Sequence, residues 1–315
     1  MTNTSTSKMP LPDLNLVSAM GTRELLFPPP QEILPGATSY LNLPFALIPG
    51  YRTLRLDLHL PHGATEPVPV VVYASGGAWL LVMKHHGPWT FLPAAGYAVA
   101  VVEYRVSGEA RFPAPLHDLK GAVRWLRANA STYNLDPERV GAWGSSAGAY
   151  LLSMLAVTNG MAAFEGEVGG NLDQSSAVLS VIDHYGPSDL AAMVEDTDSI
   201  PGVMEHFGTA TSPETRLLGY IPSERLEEAC RASPINYLSR DTVPFLILHG
   251  DADTRLGIGQ SRRFSRALQE AGVDAAFHTV PGANHAGPEF FTPEANALAL
   301  EFLEKTMSFY GERTP

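Results

Sequence analysis

Short apolar runs, separated by stretches with helical periodicity, dominate the chain after about residue 50. Leucines at 54, 56, 58 and 60 alternate with polar residues, which predicts a half-buried strand. Further runs are almost continuously apolar, and they predict strands buried on both faces of a parallel sheet. These runs lie at 68–73, 97–102, 140–143, 177–182, 244–248 and, more weakly, 275–280.

Apolar residues at helical spacing occupy several of the segments between these runs. The predicted helices lie at 116–130, 146–157, 257–271 and 293–309. Strands that alternate with helices predict an α/β fold, with a mostly parallel central sheet flanked by helices and joined by right-handed crossovers.

Two segments depart from this alternation. Residues 1–50 begin polar and become Pro-rich at 27–44, which predicts an irregular N-terminal arm before a domain at 51–315. Residues 187–243 contain several Pro and Gly residues and no clear strand. Because so long a structureless loop is rare inside a compact domain, we expect a helical insertion there, forming a cap over the edge of the sheet.

Composition and charge exclude several classes of protein. Hydrophobic residues make up 45% of the chain, which is too much for a disordered protein, and 28 Gly with 26 Pro argue against an all-helical bundle. The net charge is −12, with no long basic run, so we expect neither nucleic acid nor an anionic membrane as a partner.

The single cysteine, Cys230, excludes an internal disulfide and a zinc knuckle. No run approaches the roughly 18 apolar residues of a membrane span. The N-terminal residues lack the pattern of a signal peptide. We therefore expect a cytoplasmic protein.

A serine framed by glycines follows the predicted strand at 140–143, in Gly144-Ser145-Ser146-Ala147-Gly148. This fits the G-x-S-x-G pattern, which requires a strand before it and a helix after it. The flanking positions are glycine because side chains there would crowd the backbone of a strained turn. We predict that Ser146 is a nucleophile and that Ser145 points away from it. The alternative from the pentapeptide alone is a Gly-rich helix cap.

A serine hydroxyl becomes a good nucleophile when a histidine takes its proton. The histidines that follow the serine are His206, His249, His278 and His285. His249 and His278 lie in predicted strands, where a structural role is expected, and His206 lies in the predicted cap. His285 lies in a loop between the last strand and the last helix, where sites form in parallel sheets. We predict His285 as the general base.

Two aspartates, Asp251 and Asp253, follow the predicted strand at 244–248. The acid of such a site holds the imidazole in one tautomer and stabilises its positive form. Asp253 reaches further into the loop, whereas Asp251 can cap the turn with its own side chain. Asp253 is the preferred acid, and Asp251 stays the alternative.

A loop of small residues at 74–78 follows the predicted strand at 68–73. Small residues let backbone N–H groups approach the oxygen of a tetrahedral intermediate, and Ala147, next to the nucleophile, would supply a second donor. Nearby aromatic side chains are candidates for lining the substrate pocket, although core packing is an alternative for the tryptophans. These candidates are Trp79, His85, His86 and Trp89.

The ordered set of motifs resembles the α/β-hydrolase superfamily. Within it, the chain is similar to the hormone-sensitive-lipase-like and feruloyl-esterase-like bacterial carboxylesterases, over about residues 52–310. Members carry His-Gly-Gly-Gly and an aromatic residue where this chain has Ser75-Gly76-Gly77-Ala78-Trp79. The resemblance implies that Gly77 and Ala78 donate N–H groups to the oxyanion and that Ser75 replaces a loop-fixing histidine.

The resemblance also bears on the acid and on assembly. The segment 249–253 matches the acid loop of the feruloyl-esterase-like branch, and this match supports Asp253 as the acid of the triad. Dimers are common among relatives, so a homodimer is one assembly that the resemblance implies.

Together these residues predict a carboxylesterase-like serine hydrolase that cleaves short-chain or aryl carboxylic esters through an acyl-enzyme. The predicted triad is Ser146, His285 and Asp253, the expected partner is a small-molecule ester, and no cofactor or metal is needed. Two alternatives stay open: a peptidase or amidase on the same scaffold, and a non-catalytic small-molecule binding protein with this fold.

Overall fold

A single mixed sheet forms the centre of the computed structural model, which describes residues 29–50, 52–85, 87–198, 200 and 206–308. Its strands are β1 Gln31–Leu34, β2 Ala37–Ala46, β3 Leu54–Pro61, β4 Val68–Ala74, β5 Ala98–Val102, β6 Leu135–Ser145, β7 Val181–His184, β8 Phe245–Gly250 and β9 Ala275–Val280. Their order across the sheet is β1-β2-β3-β5-β4-β6-β7-β8-β9. The first three strands pair antiparallel, as do β3 and β5, and the strands from β5 to β9 along this order pair parallel.

Helices follow most of the parallel strands. They are α1 Ala114–Ala128, α2 Ala130–Tyr133, α3 Ala147–Val157, α4 Ala162–Glu165, α5 Met193–Asp198, α6 Pro213–Leu218, α7 Leu226–Arg231, α8 Gly259–Glu270 and α9 Pro293–Met307. Short 3-10 helices lie at Pro88–Phe91, Pro93–Ala95, Pro222–Glu224, Pro234–Tyr237 and Pro288–Phe291. The predicted α/β fold, with a mostly parallel sheet flanked by helices, is confirmed.

Alternate residues of the central strands enter two separate hydrophobic cores. In β4, Val70 and Val72 pack in the larger core with α1, α3 and α8, whereas Val71 and Tyr73 pack in the second core with α9. Both faces of these strands are therefore covered, which explains why their sequences are continuously apolar rather than alternating.

The irregular structure predicted for residues 27–44 is wrong for the part that the structure describes. Residues 31–46 form β1 and β2, and β2 pairs along most of its length with β3. Pro44 lies in β2 next to a shift in register, where the missing N–H of a proline is tolerated. Residues 1–28 lie outside the described residues, so the division at residue 50 stays a prediction.

The half-buried character predicted for β3 is also wrong, because two of its three polar side chains, those of Asp57 and His59, are buried too. Asp57 is 1% exposed and pairs with Lys84, while it accepts a hydrogen bond from the backbone N–H of Asn42. His59 is 2% exposed, stacks on Trp89 and lies 2.8 Å from the Ser39 hydroxyl. Specific partners make a polar residue compatible with burial, and the alternation along the strand does not reveal them.

Residues 187–243 connect β7 to β8, and their described part contains α5, α6, α7 and two 3-10 helices, in line with the predicted helical character. α5 is attached to α8: Asp196 accepts hydrogen bonds from Gln260 and from both terminal nitrogens of Arg263. No helix among the described residues is long and apolar enough to cross a membrane.

Candidate active site

The predicted nucleophile occupies a strained turn between β6 and α3. Ser146 has φ 52° and ψ −120°, a backbone conformation that L-residues rarely adopt. Its N–H donates to the carbonyl of His184 (2.8 Å), and its own carbonyl accepts from the N–H of Tyr150 (3.0 Å). These bonds tie the strained residue to β7 on one side and to α3 on the other.

The flanking glycines are required by close backbone contacts. A Cβ atom at Gly148 would lie 2.1 Å from the carbonyl oxygen of Ala74, and one at Gly144 would lie 2.5 Å from the backbone of Ala149. Ser145, as expected, points elsewhere: it is 6% exposed and its hydroxyl lies 3.1 Å from that of Tyr73. The turn therefore presents only one of its two serines to the loops at this edge of the sheet.

The loops that follow β8 and β9 bring an aspartate and a histidine to this serine. His285 Nε2 lies 2.9 Å from Ser146 Oγ, and His285 Nδ1 lies 2.7 Å from Asp253 Oδ2. An ionised carboxylate only accepts hydrogen bonds, so Nδ1 carries the proton and Nε2 is free to accept one from the serine. The imidazole is mostly shielded, with 13% of the side chain exposed.

The two candidate aspartates have different partners. Asp251 is exposed, and its Oδ1 accepts from the N–H of Gly282 at 2.6 Å, so it closes the turn that precedes the histidine loop. The Asp253 side chain is 1% exposed, and its Oδ1 accepts from the backbone N–H groups of Arg255 (2.8 Å) and Leu256 (2.9 Å). Only Asp253 contacts the histidine.

The environment of Asp253 favours its charged form. Burial opposes ionisation, but hydrogen bonds from His249 and His285 outweigh it and hold the pKa of Asp253 well below its usual range. The carboxylate therefore stays negative at neutral pH and is able to stabilise a protonated His285.

The small-residue loop after β4 lies directly against the serine turn. A Cβ atom at Gly76 would lie 3.0 Å from the Cβ of Ser146. Gly77 has φ +130°, and Ala78 (53°) and Trp79 (57°) follow in the left-handed region. Consecutive non-glycine residues in that region are strained, and such strain concentrates at functional sites.

Side chains and backbone anchor this loop. Ser75, which the resemblance places at the position of a loop-fixing histidine, accepts from the N–H of Met83 (2.9 Å) through its hydroxyl and from the Tyr104 hydroxyl (3.0 Å) through its carbonyl. The N–H groups of Gly77 and Ala78 donate to no acceptor among the described residues. They are therefore available, with the N–H of Ala147 at the first position of α3, to a negatively charged oxygen.

The predicted substrate-pocket residues separate into different environments. Trp79 lines the cleft beside the serine and packs edge-on against Tyr150. Trp89 is buried in the second core, stacked on His59 and apart from the residues that line the cleft, so the packing alternative describes its position. His85 is exposed and likewise outside the cleft lining, and His86 lies outside the described residues.

Several cleft residues were not predicted from the sequence. The empty volume of the cleft, part of which is open to solvent, is about 310 Å³. The additional lining residues are Pro187, Met193, Phe207, Pro213, Arg255 and Leu256. Most of them come from the segment between β7 and β8, where the sequence indicates helices but not which side chains face the nucleophile.

Two further residues support the histidine. Asn284 Oδ1 accepts from the N–H of His285 (2.7 Å) and from the N–H of Thr254 (3.0 Å), so it joins the histidine loop to the acid loop. The Tyr185 ring lies 4.7 Å from the His285 ring, and Tyr185 itself has a left-handed φ of 46°. The motif order gave no signal for either residue.

Below the serine turn lies a buried histidine, His184. It is 1% exposed, and neither ring nitrogen has a hydrogen-bond partner among the described residues. Burial lowers the pKa of its imidazole to about 3. In the unfolded chain a histidine has a pKa near about 6.5, so between these two values the unfolded state binds more protons and stability falls as the pH drops.

We expect His184→Phe to remove this pH dependence. At pH 5 the neutral, buried His184 costs the folded protein about 2 kcal/mol relative to pH 8, and phenylalanine has no such cost. Urea denaturation at both pH values measures the difference. The exposed His206→Phe serves as the control, because its ring is hydrated in both states. An equal loss of stability between pH 8 and pH 5 in wild type and His184→Phe would contradict the prediction.

Several known proteins with a similar sequence or fold are esterases. Esterase LipQ of Mycobacterium tuberculosis is 28% identical in an alignment 325 positions long, gaps included, which covers 95% of this chain and 74% of LipQ. Esterase LipC of the same organism is 28% identical over 253 residues, or 75% of this chain and 58% of LipC. A truncated carbohydrate esterase from gut microbiota superposes with a TM-score of 0.78 at 31% identity, covering 86% of this chain and 97% of the other.

The fold, the site and these relatives define the class of the protein: a carboxylic ester hydrolase with the α/β-hydrolase fold. The class predicted from the sequence motifs is therefore confirmed. More narrowly, residues 56–268 match the model of the BD-FAE family, and the chain belongs to that family.

Proposed function

We propose that the chain hydrolyses short-chain or aryl carboxylic esters in two steps through an acyl-enzyme on Ser146. His285 acts first as general base and then as general acid, and Asp253 orients it. The observation that carries this proposal is the unbroken series of hydrogen-bond contacts from the buried carboxylate through both imidazole nitrogens to the hydroxyl of the strained serine.

In the first step, Ser146 Oγ attacks the ester carbonyl carbon while its proton passes to His285 Nε2. The carbonyl oxygen becomes negative, and the N–H groups of Gly77, Ala78 and Ala147 stabilise it. When the intermediate collapses, the bond to the alcohol oxygen breaks and the alcohol leaves with the proton from Nε2. Water then attacks the acyl-enzyme, giving its proton to Nε2, and Ser146 recovers a proton as the acid leaves.

The walls of the cleft favour a small acyl group. Trp79, Met193 and Phe207 are bulky, and they share the cleft with the nucleophile. Bulky side chains this near the nucleophile support acetyl or butyryl groups over long acyl chains, which would meet them in steric contact.

Activity on p-nitrophenyl esters and on the matching anilides tests the proposed function. We expect kcat/KM to be highest for the acetate or butyrate, lower for the octanoate, and at least about 100-fold lower for the anilide of the preferred acid than for its ester. Faster cleavage of the anilide would favour the amidase alternative. No turnover of any ester, in a folded protein, would favour the binding-protein alternative.

The alcohol part of the substrate is a separate question. One similar solved structure is a carbohydrate esterase, and this likeness supports an acetylated carbohydrate as a candidate substrate. Release of acetate from an acetylated xylo-oligosaccharide, compared with p-nitrophenyl acetate, tests that candidate. A homodimer and a cytoplasmic location stay predictions.

A further inference from the structure

A second histidine contacts the carboxylate of the proposed triad. His249, at the end of β8, is fully buried with a relative exposure of 0%. Its Nε2 lies 3.1 Å from Asp253 Oδ2 and 3.1 Å from the carbonyl oxygen of Leu256. Its Nδ1 lies 2.7 Å from the hydroxyl of Ser261, a buried residue of α8. Every polar atom of this ring therefore has a partner.

The chemistry of the partners determines the tautomer of His249. The carbonyl of Leu256 and the carboxylate of Asp253 only accept hydrogen bonds, so Nε2 must carry a proton and donate to both. In the neutral ring Nδ1 is then an acceptor, and the hydroxyl of Ser261 is free to rotate and donate to it. The serine thus stabilises the tautomer that donates to the carboxylate.

The hydrogen bonds to Asp253 are divided between its two oxygens. Oδ1 accepts two backbone N–H groups, from Arg255 and Leu256, whereas Oδ2 accepts from both His249 and His285. Of the two histidines that contact Oδ2, only His285, the proposed base, would remain if His249 were removed. The carboxylate would then lose the contact that fixes Oδ2 independently of His285.

We propose that His249, held by Ser261, is a positioning residue that fixes the Asp253 carboxylate and limits its attraction for the His285 imidazole. This inference rests on the proposed triad and deepens it. The predicted hydrogen-bonded series then has five members, from Ser261 through His249, Asp253 and His285 to Ser146.

Other titratable groups near His249 are already engaged. Asp183 of β7 accepts from the N–H of Gly186 and from the Ser153 hydroxyl. Tyr185, whose ring lies 6.4 Å from that of His249, is buried, and burial raises its pKa to about 12, so it is uncharged at neutral pH. These contacts leave the bond between His249 and Asp253 as the main polar link to the site.

Two polar substitutions at residue 249 separate positioning from packing. The amide nitrogen of His249→Gln reaches the place of Nε2 and keeps a donor for Asp253. The shorter side chain of His249→Asn reaches only the place of Nδ1, so it keeps a partner for Ser261 and loses the donor to Asp253. The same exchanges at His59, which is also buried beside a serine hydroxyl (Ser39, 2.8 Å) but away from the site, are the matched controls.

We expect His249→Asn to lower kcat for p-nitrophenyl acetate by on the order of 10- to 100-fold with KM changed less than about threefold, because an acid out of place misorients the base. In the plot of kcat/KM against pH, the acid limb should move to higher pH by about half a unit, which is about a threefold change in proton concentration. Asp253 would then interact with His285 alone and stabilise the imidazolium more. His249→Gln should restore both values, and the His59 variants should change neither.

Equal kcat values and pH profiles for His249→Asn and His59→Asn would overturn the inference, while a dead Ser146→Ala would still uphold the proposed function. If instead Ser146→Ala stays active, the triad fails, and with it the inference. Should His249→Asn not fold, ¹⁵N shifts of the imidazole nitrogens in the wild-type protein decide. The Nε2–H tautomer of His249 at pH 7 supports the inference, and the Nδ1–H tautomer overturns it.

Discussion

Replacing Ser146 with alanine is expected to lower kcat for p-nitrophenyl acetate by about 10³- to 10⁶-fold. The hydroxyl is the group that forms the acyl-enzyme in the proposed mechanism, and its loss leaves only the hydrogen-bond donors of the oxyanion loop and substrate binding. KM should change little, because the walls of the cleft stay in place. Steady-state kinetics of the purified variant measure the effect. Trace contamination with wild-type protein sets the lowest residual kcat that these measurements can detect.

The neighbouring serine supplies the matched control for this prediction. Ser145→Ala removes a hydroxyl of the same kind one residue away, where it contacts Tyr73 rather than His285. We expect its kcat to stay within about tenfold of wild type, since it loses one buried hydrogen bond and no reacting group. If Ser145→Ala loses activity and Ser146→Ala keeps it, the nucleophile is assigned to the wrong residue.

The second large effect is expected at the acid. Asp253→Asn should lower kcat by about 10³- to 10⁴-fold, because an amide next to His285 Nδ1 no longer enforces the tautomer in which Nε2 accepts the serine proton. The amide also loses the negative charge that stabilises the imidazolium. The kcat values of Asp253→Asn and Asp251→Asn, measured at the same pH, test the assignment.

Asp251→Asn is the comparison that separates the two aspartates. Its amide oxygen is still able to accept the hydrogen bond from Gly282 N–H, so the turn before the histidine loop stays closed. We expect a change in kcat of less than about tenfold. A dead Asp251→Asn beside an active Asp253→Asn would contradict the account and favour the alternative that the sequence left open.

Much of the fold could be predicted from the sequence because apolar runs and glycines report the burial and the backbone space that each segment needs. The strand before Ser146 and the helix after it follow from apolar runs, and Gly144 and Gly148 mark positions where the backbone has no room for a Cβ atom. The alternation of strands and helices then determines which loops meet at the carboxyl edge of the sheet. For these reasons motif order alone predicts Ser146 and His285, whereas the preference for Asp253 over Asp251 also depended on the position of each residue in the loop and on the family resemblance.

The misjudged segments depend on contacts between residues distant in the chain. β2 contains a proline, so its sequence predicts irregular structure. Pairing with β3 and burial of Leu43 and Phe45 nevertheless make it a strand. Asp57 and His59 look solvent-facing, although Lys84 and Ser39 satisfy them inside the protein. Tertiary partners of this kind leave no periodic signal in the sequence.

The same limit applies to the residues around the site. His249 was predicted to be structural because it ends a strand, and only the structure shows its contact with Asp253. Asn284 joins two loops through one amide oxygen, which no spacing rule identifies. The cleft side chains Met193 and Phe207 depend on how the segment between β7 and β8 folds over the sheet.

Covalent labelling with a fluorophosphonate tests the central claim most directly, because the reagent forms a stable bond only with an activated serine. Intact mass should show one adduct per wild-type chain, peptide mapping should place it on Ser146, and Ser146→Ala should show none. An adduct on another residue would contradict the account. So would continued ester hydrolysis by the fully labelled wild-type protein or by Ser146→Ala.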